Sequence, residues 1–168
     1  LGFATLEANT TGNYNIAVGN YALDGATTAH DNLAIGYHAL GASVTGTMNV
    51  GIGNSALTAN TTGYDNVAVG FKALTANTTG IRNSAVGSLA LGLNTIGQYN
   101  TSLGYGALYA NTTASLNTAV GYQALVANTT GANNVAVGSY ALDANTTTSN
   151  HTAVGYNALT ANTTGIEN

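Results

Sequence analysis

Apolar and polar positions alternate along this chain in a short phrase that returns every 17 residues. In "NVAVG" (134–138) Val135 and Val137 fall on one side of an extended strand and Ala136 on the other. The phrase predicts one short strand per repeat, with the branched pair turned inward. The next element, "ANTTG" (127–131), reads as a turn, because Asn tolerates left-handed backbone and Gly closes the bend. Repeat glycines stand at 2, 19, 36, 53, 70, 87, 104, 121, 138 and 155, with no insertion or deletion between them.

A 17-residue period is too short for a helix-pair repeat and suits one coil of a β-solenoid, each coil stacking on the next at ~4.8 Å. The sequence therefore predicts an all-β fold: a parallel β-solenoid of ten 17-residue coils, from Gly2 to Asn168. Leu recurs in every phrase, from Leu6 to Leu159, and a branched aliphatic residue nearly always closes the strand. The Leu and Val columns are the predicted core, with Leu125 and Val137 as one coil's share. Each such side chain contributes ~1.5–3 kcal/mol if fully buried. Ala124 and Ala136, and their counterparts, read as a small-residue face on which another chain could pack closely, or else as a tight corner of one coil. Two Asn columns, represented by Asn128 and Asn134, read as amide ladders that satisfy backbone groups at corners.

Composition sharpens this reading. Only 5% of the 168 residues are charged, against ~25% in ordinary domains, and Pro, Cys and Trp are absent. The net charge of −4 sets six acids against Lys72 and Arg82, which are too few to neutralise a nucleic-acid backbone. No apolar run reaches the ~20 residues of a membrane-spanning helix. A disulfide framework is excluded. The chain starts and stops inside the repeat phrase, which reads as a window cut from a longer array.

The phrases "NTAVGYQALVANTTG" (117–131) and "HTAVGYNALTANTTG" (151–165) resemble the head repeats of trimeric autotransporter adhesins. They are still more similar to repeat arrays in phage tail-fibre-like and bacterial surface proteins. That resemblance covers the whole chain. It implies a left-handed parallel β-roll, three chains wound side by side, and a place on a cell surface or virion. It implies a structural or adhesive role with no active site to carry over. The period of 17 differs from the shorter repeat of the adhesin heads.

Candidate chemistry is sparse. "GIGNSA" (51–56) mimics a dinucleotide-binding fingerprint, but no helix or acidic partner follows it, so it is read as the repeat phrase with Gly51 in place of Ala. His30, His38 and His151 occupy three repeat phases and cannot converge on a triad; His30, beside Asp31, reads as a surface-loop residue. The acids recur in no pattern that would bind a metal or form a glycosidase pair, and no cofactor is expected. Asn-Thr-Thr is a glycosylation sequon, in phase at Asn9, Asn60, Asn77, Asn111, Asn128, Asn145 and Asn162; it is equally good turn and ladder chemistry. Aromatic residues gather just after the repeat glycine, as at Phe3, Tyr37, Phe71, Tyr105, Tyr122 and Tyr156. They read as packing groups or as a stripe shown to a partner.

The sequence thus predicts a non-catalytic segment of an extracellular fibre that associates with copies of itself and meets a host-surface glycan or protein. The alternative is an ice-binding or glycan-binding solenoid. Against ice binding, adjacent threonines in a strand point to opposite faces, leaving one outward Thr column.

Overall fold

The computed structural model describes residues 1–165; the last residue of the expected array, Asn168, lies outside that range. Nine strands of three residues each form one parallel sheet: β1 (Ile16–Val18), β2 (Leu33–Ile35), β3 (Val50–Ile52), β4 (Val67–Val69), β5 (Ser84–Val86), β6 (Thr101–Leu103), β7 (Thr118–Val120), β8 (Val135–Val137) and β9 (Thr152–Val154). They lie in sequence order, each paired with the next in register. The fold is a parallel β-solenoid in which same-phase residues 17 apart are stacked neighbours.

Between strands the chain turns continuously. The repeat glycine carbonyl accepts from the Ala N–H three residues on, as between Gly121 and Ala124. The Leu carbonyl likewise accepts from Asn, as between Leu125 and Asn128. The glycine sits at φ near +130°, and a Cβ at Gly87 would lie 2.5 Å from the Gly104 carbonyl oxygen. No other residue fits there.

The core is narrow. Its only large apolar column is Leu, fully buried from Leu23 to Leu142. Each of these leucines has left-handed backbone, φ between 51° and 54°. That conformation costs ~1–2 kcal/mol, comparable to what burying the side chain returns. The bend aims the side chain at the coil centre, while the N–H bonds the next coil, as from Leu74 to the Ala90 carbonyl. Two Ala columns and the two Asn columns complete the interior.

The strand faces opposite to the sequence expectation. Ala136, at the middle of β8, is buried, whereas Val135 and Val137 are only partly covered. The same order holds in all nine strands, with Gly51 and Ser102 taking the Ala place in β3 and β6. The reason is width. Leu already fills the coil opposite the strand, and the remaining gap admits a methyl but not a branched side chain. Even at Gly51 an added Cβ would meet the Leu40 side chain at 3.2 Å. The Ala columns are therefore interior packing within one coil, and the Val column is surface rather than core.

Candidate functional site

The described residues form no pocket, and the repeat builds columns of like residues along the outside. The first is the outer strand face. Positions flanking the buried middle carry Ile, Leu, Val, Ser or Thr in every strand, and no charge. The closing position is the more apolar: Val18 and Ile35 are each 38% exposed and Leu103 48%. The result is an uncharged strip nine strands tall.

Behind it run the amide columns. In the first, Asn32, Asn49, Asn66, Asn83, Asn100 and their neighbours are buried. Each Oδ1 accepts from the backbone N–H of the following Asn, as from Asn83 to Asn66 at 3.0 Å. Most accept from its Nδ2 as well, and the second Nδ2 hydrogen goes to a turn carbonyl, as from Asn83 to Gly97 at 2.9 Å. His151 takes the Asn place, still buried, and its backbone N–H donates to Asn134 Oδ1 at 3.0 Å. Its Nε2 lies 2.9 Å from Thr148 Oγ1.

The second column contains the sequon asparagines. Asn60, Asn77, Asn111, Asn128 and Asn145 are fully buried. From Asn77 to Asn145 each Nδ2 donates one hydrogen to the preceding Asn Oδ1 and the other to the carbonyl three residues ahead, at 2.9 and 3.0 Å for Asn77. No Nδ2 surface remains at these five positions. At the ends of the array, Asn9 is exposed and Asn162 half-buried. The column is interrupted by Ala26 and Ser43, and the buried Ser43 Oγ has no hydrogen-bond partner.

The threonines of the same turn part company. The first donates its hydroxyl to the next coil, as from Thr61 Oγ1 to the Thr78 carbonyl at 3.1 Å. The second, represented by Thr62, Thr79, Thr113 and Thr130, is exposed.

The aromatic residues stack along the outside. Tyr105 and Tyr122 lie parallel at 5.4 Å, and Tyr122, Tyr140 and Tyr156 continue edge to face. Phe3, Tyr21, Tyr37 and His38 form a second run. The rings pack on one another and are also shown to solvent, Tyr122 being 44% exposed. Burial among its neighbours, followed by the Tyr122 hydroxyl, raises the Tyr140 phenol above the ordinary tyrosine value. His30 is exposed and lies apart from His38 in its aromatic run and His151 in its ladder.

Sequence reasoning missed one cluster. Arg82 donates to Tyr99 Oη at 2.9 Å and to Asp65 at 3.4 Å, and lies over the rings of Tyr64 and Tyr99. Asp65, Arg82 and Tyr99 share one repeat phase, so the 17-residue spacing was the available signal. Glu7, Asp31, Lys72 and Arg82 are exposed, whereas Asp24, Asp65 and Asp143 are half-buried. Among the described residues no group of acids and histidines is placed to hold a metal ion.

No family model, curated protein or solved structure matches this chain. Its functional reading therefore rests on the geometry of the columns.

Proposed function

We propose that this chain is a structural segment of an extracellular fibre, on a cell surface or virion, and that it assembles with copies of itself through the outer strand face. The observation that carries the reading is the outward phase of the strands. A solenoid standing alone in water has no reason to keep nine successive strands uncharged on their outer side, each closed by an apolar residue. The strip is ~40 Å tall from the strand spacing and ~10 Å wide from the strand rise. That is a geometric area on the order of 400 Å², about half of what one partner contributes to a standard interface. A strip this narrow suits convergence of several chains on a common axis better than a flat pair. We therefore favour a parallel trimer with left-handed winding, as the repeat resemblance implies. Parallel, in-register packing also matches the apolar outer residues of β1–β4 to one another and the Ser and Thr of β5–β7 to one another.

Such a fibre provides reach and stiffness without chemistry, and its exposed aromatic runs give a surface glycan or protein something to rest on. Light scattering after size-exclusion chromatography tests the assembly, with three chain masses expected at micromolar concentration. A single-chain mass overturns it. The double variant Val69→Lys/Val86→Lys should give single folded chains, since both side chains already reach solvent.

A further inference from the structure

Each Asn-Thr-Thr turn offers three atoms that could accept a transferred group: the Asn amide nitrogen and two threonine hydroxyls. The fold removes two of them. At Asn77 both Nδ2 hydrogens are donated inside the buried column. A glycan on that nitrogen would break the ladder and has no room in the coil. The first hydroxyl is spent on the next coil, from Thr61, Thr78, Thr112 and Thr129 at 3.0–3.2 Å. The second threonine differs. Thr62, Thr79, Thr113 and Thr130 are exposed, and among the described residues none of their hydroxyls makes a hydrogen bond within the chain. Their backbone is nonetheless held, as by the Thr62 and Thr79 N–H groups on the Thr78 and Thr95 carbonyls. Thr62 with Thr79, and Thr113 with Thr130, therefore stand as two pairs at the coil spacing, ~4.8 Å, with Ile96 at the same phase between the pairs.

From this geometry we infer that the second threonine of each turn is an acceptor for O-linked glycosylation by a host transferase using a nucleotide-activated sugar. In the transfer, the Thr Oγ1 lone pair attacks the anomeric carbon and the bond from that carbon to the diphosphate breaks. The nucleoside diphosphate leaves, and the hydroxyl proton passes to a base of the transferase. A neutral sugar fits the site where a phosphate does not. Phosphates one coil apart, as on Thr62 and Thr79, would lie well inside the ~8–10 Å screening length and repel within each pair. No arginine cluster stands by to meet them, since the chain's one arginine, Arg82, is held by Tyr99 and Asp65.

The inference rests on the extracellular reading only in placing the chain where surface glycosylation occurs, and its test is separate from the assembly test. The chain is purified from the organism that makes it, and its peptides are sequenced by electron-transfer fragmentation. Sugar-sized mass increments are expected on Thr62, Thr79, Thr113 and Thr130, lost on alkaline β-elimination. The variant Thr62→Ala/Thr79→Ala, made in the same host, should lose the increments at its own two positions and keep its melting temperature and oligomer mass. Unmodified threonine masses overturn the inference. So do sugars on Asn60 and Asn77, or on Thr61 and Thr78.

Discussion

The two amide columns look alike in sequence, yet they should respond unequally to removal of one Asn. In Asn83→Ala, four side-chain hydrogen bonds disappear: two donated by Nδ2, to Asn66 and Gly97, and two accepted by Oδ1 from Asn100. Three of the four partners keep another bond. Asn66 Oδ1 still receives the backbone N–H of residue 83, the Gly97 carbonyl still receives Asn94, and Asn100 Nδ2 still reaches the Ala114 carbonyl. The Asn100 backbone N–H is left buried with nothing to bond. At a net ~0.5–1.5 kcal/mol for each of the other three bonds and ~1–3 kcal/mol for the orphan, the loss is about 2.5–7.5 kcal/mol. Asn77→Ala removes three side-chain bonds, to Asn60 and Gly80 and from Asn94. Every backbone N–H nearby keeps its partner, since Asn77 and Asn94 donate to the Leu74 and Leu91 carbonyls. Asn60 Oδ1 loses its donor, but an under-satisfied carbonyl oxygen is better tolerated than an orphaned N–H. The expected cost of the three bonds is about 1.5–4.5 kcal/mol, without the orphaned N–H. Urea unfolding followed by circular dichroism reads both values. Equal costs, or a smaller cost at Asn83, would refute the claim that the first column is held by backbone satisfaction. The chain carries its own precedent: the second column already contains Ala26 and Ser43, while the first departs from Asn only at His151.

Other outcomes follow from the same geometry. Leu116 is exposed at φ 63°, so Leu116→Asn should raise stability by about 1 kcal/mol, a few degrees in melting temperature. Ser43→Asn restores an acceptor for Asn60 Nδ2 and removes the unpartnered hydroxyl; calorimetry should show a gain of about 1 kcal/mol, and a loss would mean the column does not continue through that coil. Because the folded-state value of Tyr140 is raised, the unfolded chain releases that proton first. Its contribution is full below the ordinary tyrosine value, ~10, and falls as pH rises past it, and Tyr140→Phe should flatten that alkaline decline. Ice binding is tested by thermal hysteresis, expected to be nil because the turns offer one outward Thr rank rather than a flat two-rank face.

Period, strand position, turn and both amide columns were legible because the 17-residue spacing makes every residue's stacked neighbour known in advance. Asn128 and Asn134 stand where the phrase put them. The inward side of the strand was not legible. Alternation says that Val135 and Val137 oppose Ala136, but not which side is the interior, and the rule that large apolar residues lie inside holds only in one direction. The deciding quantity, the width left beside Leu125, comes from the left-handed bend at that leucine, a conformation that residue type argues against. The same bend makes the Ala columns core. The sequon was ambiguous for a different reason: a three-residue motif does not carry burial, and only the stacked neighbour shows that the amide nitrogen is already committed.

The amide columns also have an electrical direction of their own. Along them each side-chain carbonyl points toward the following coil and receives its hydrogens from there. Parallel strands contribute little net dipole, but these side-chain dipoles all add with one sign, as peptide units do in a helix. Mutual polarisation strengthens each link as the column lengthens. Each column is therefore polar in itself, with a sign opposite to that of the turn N–H groups, such as those of Leu74 and Ala76, that donate to the following coil.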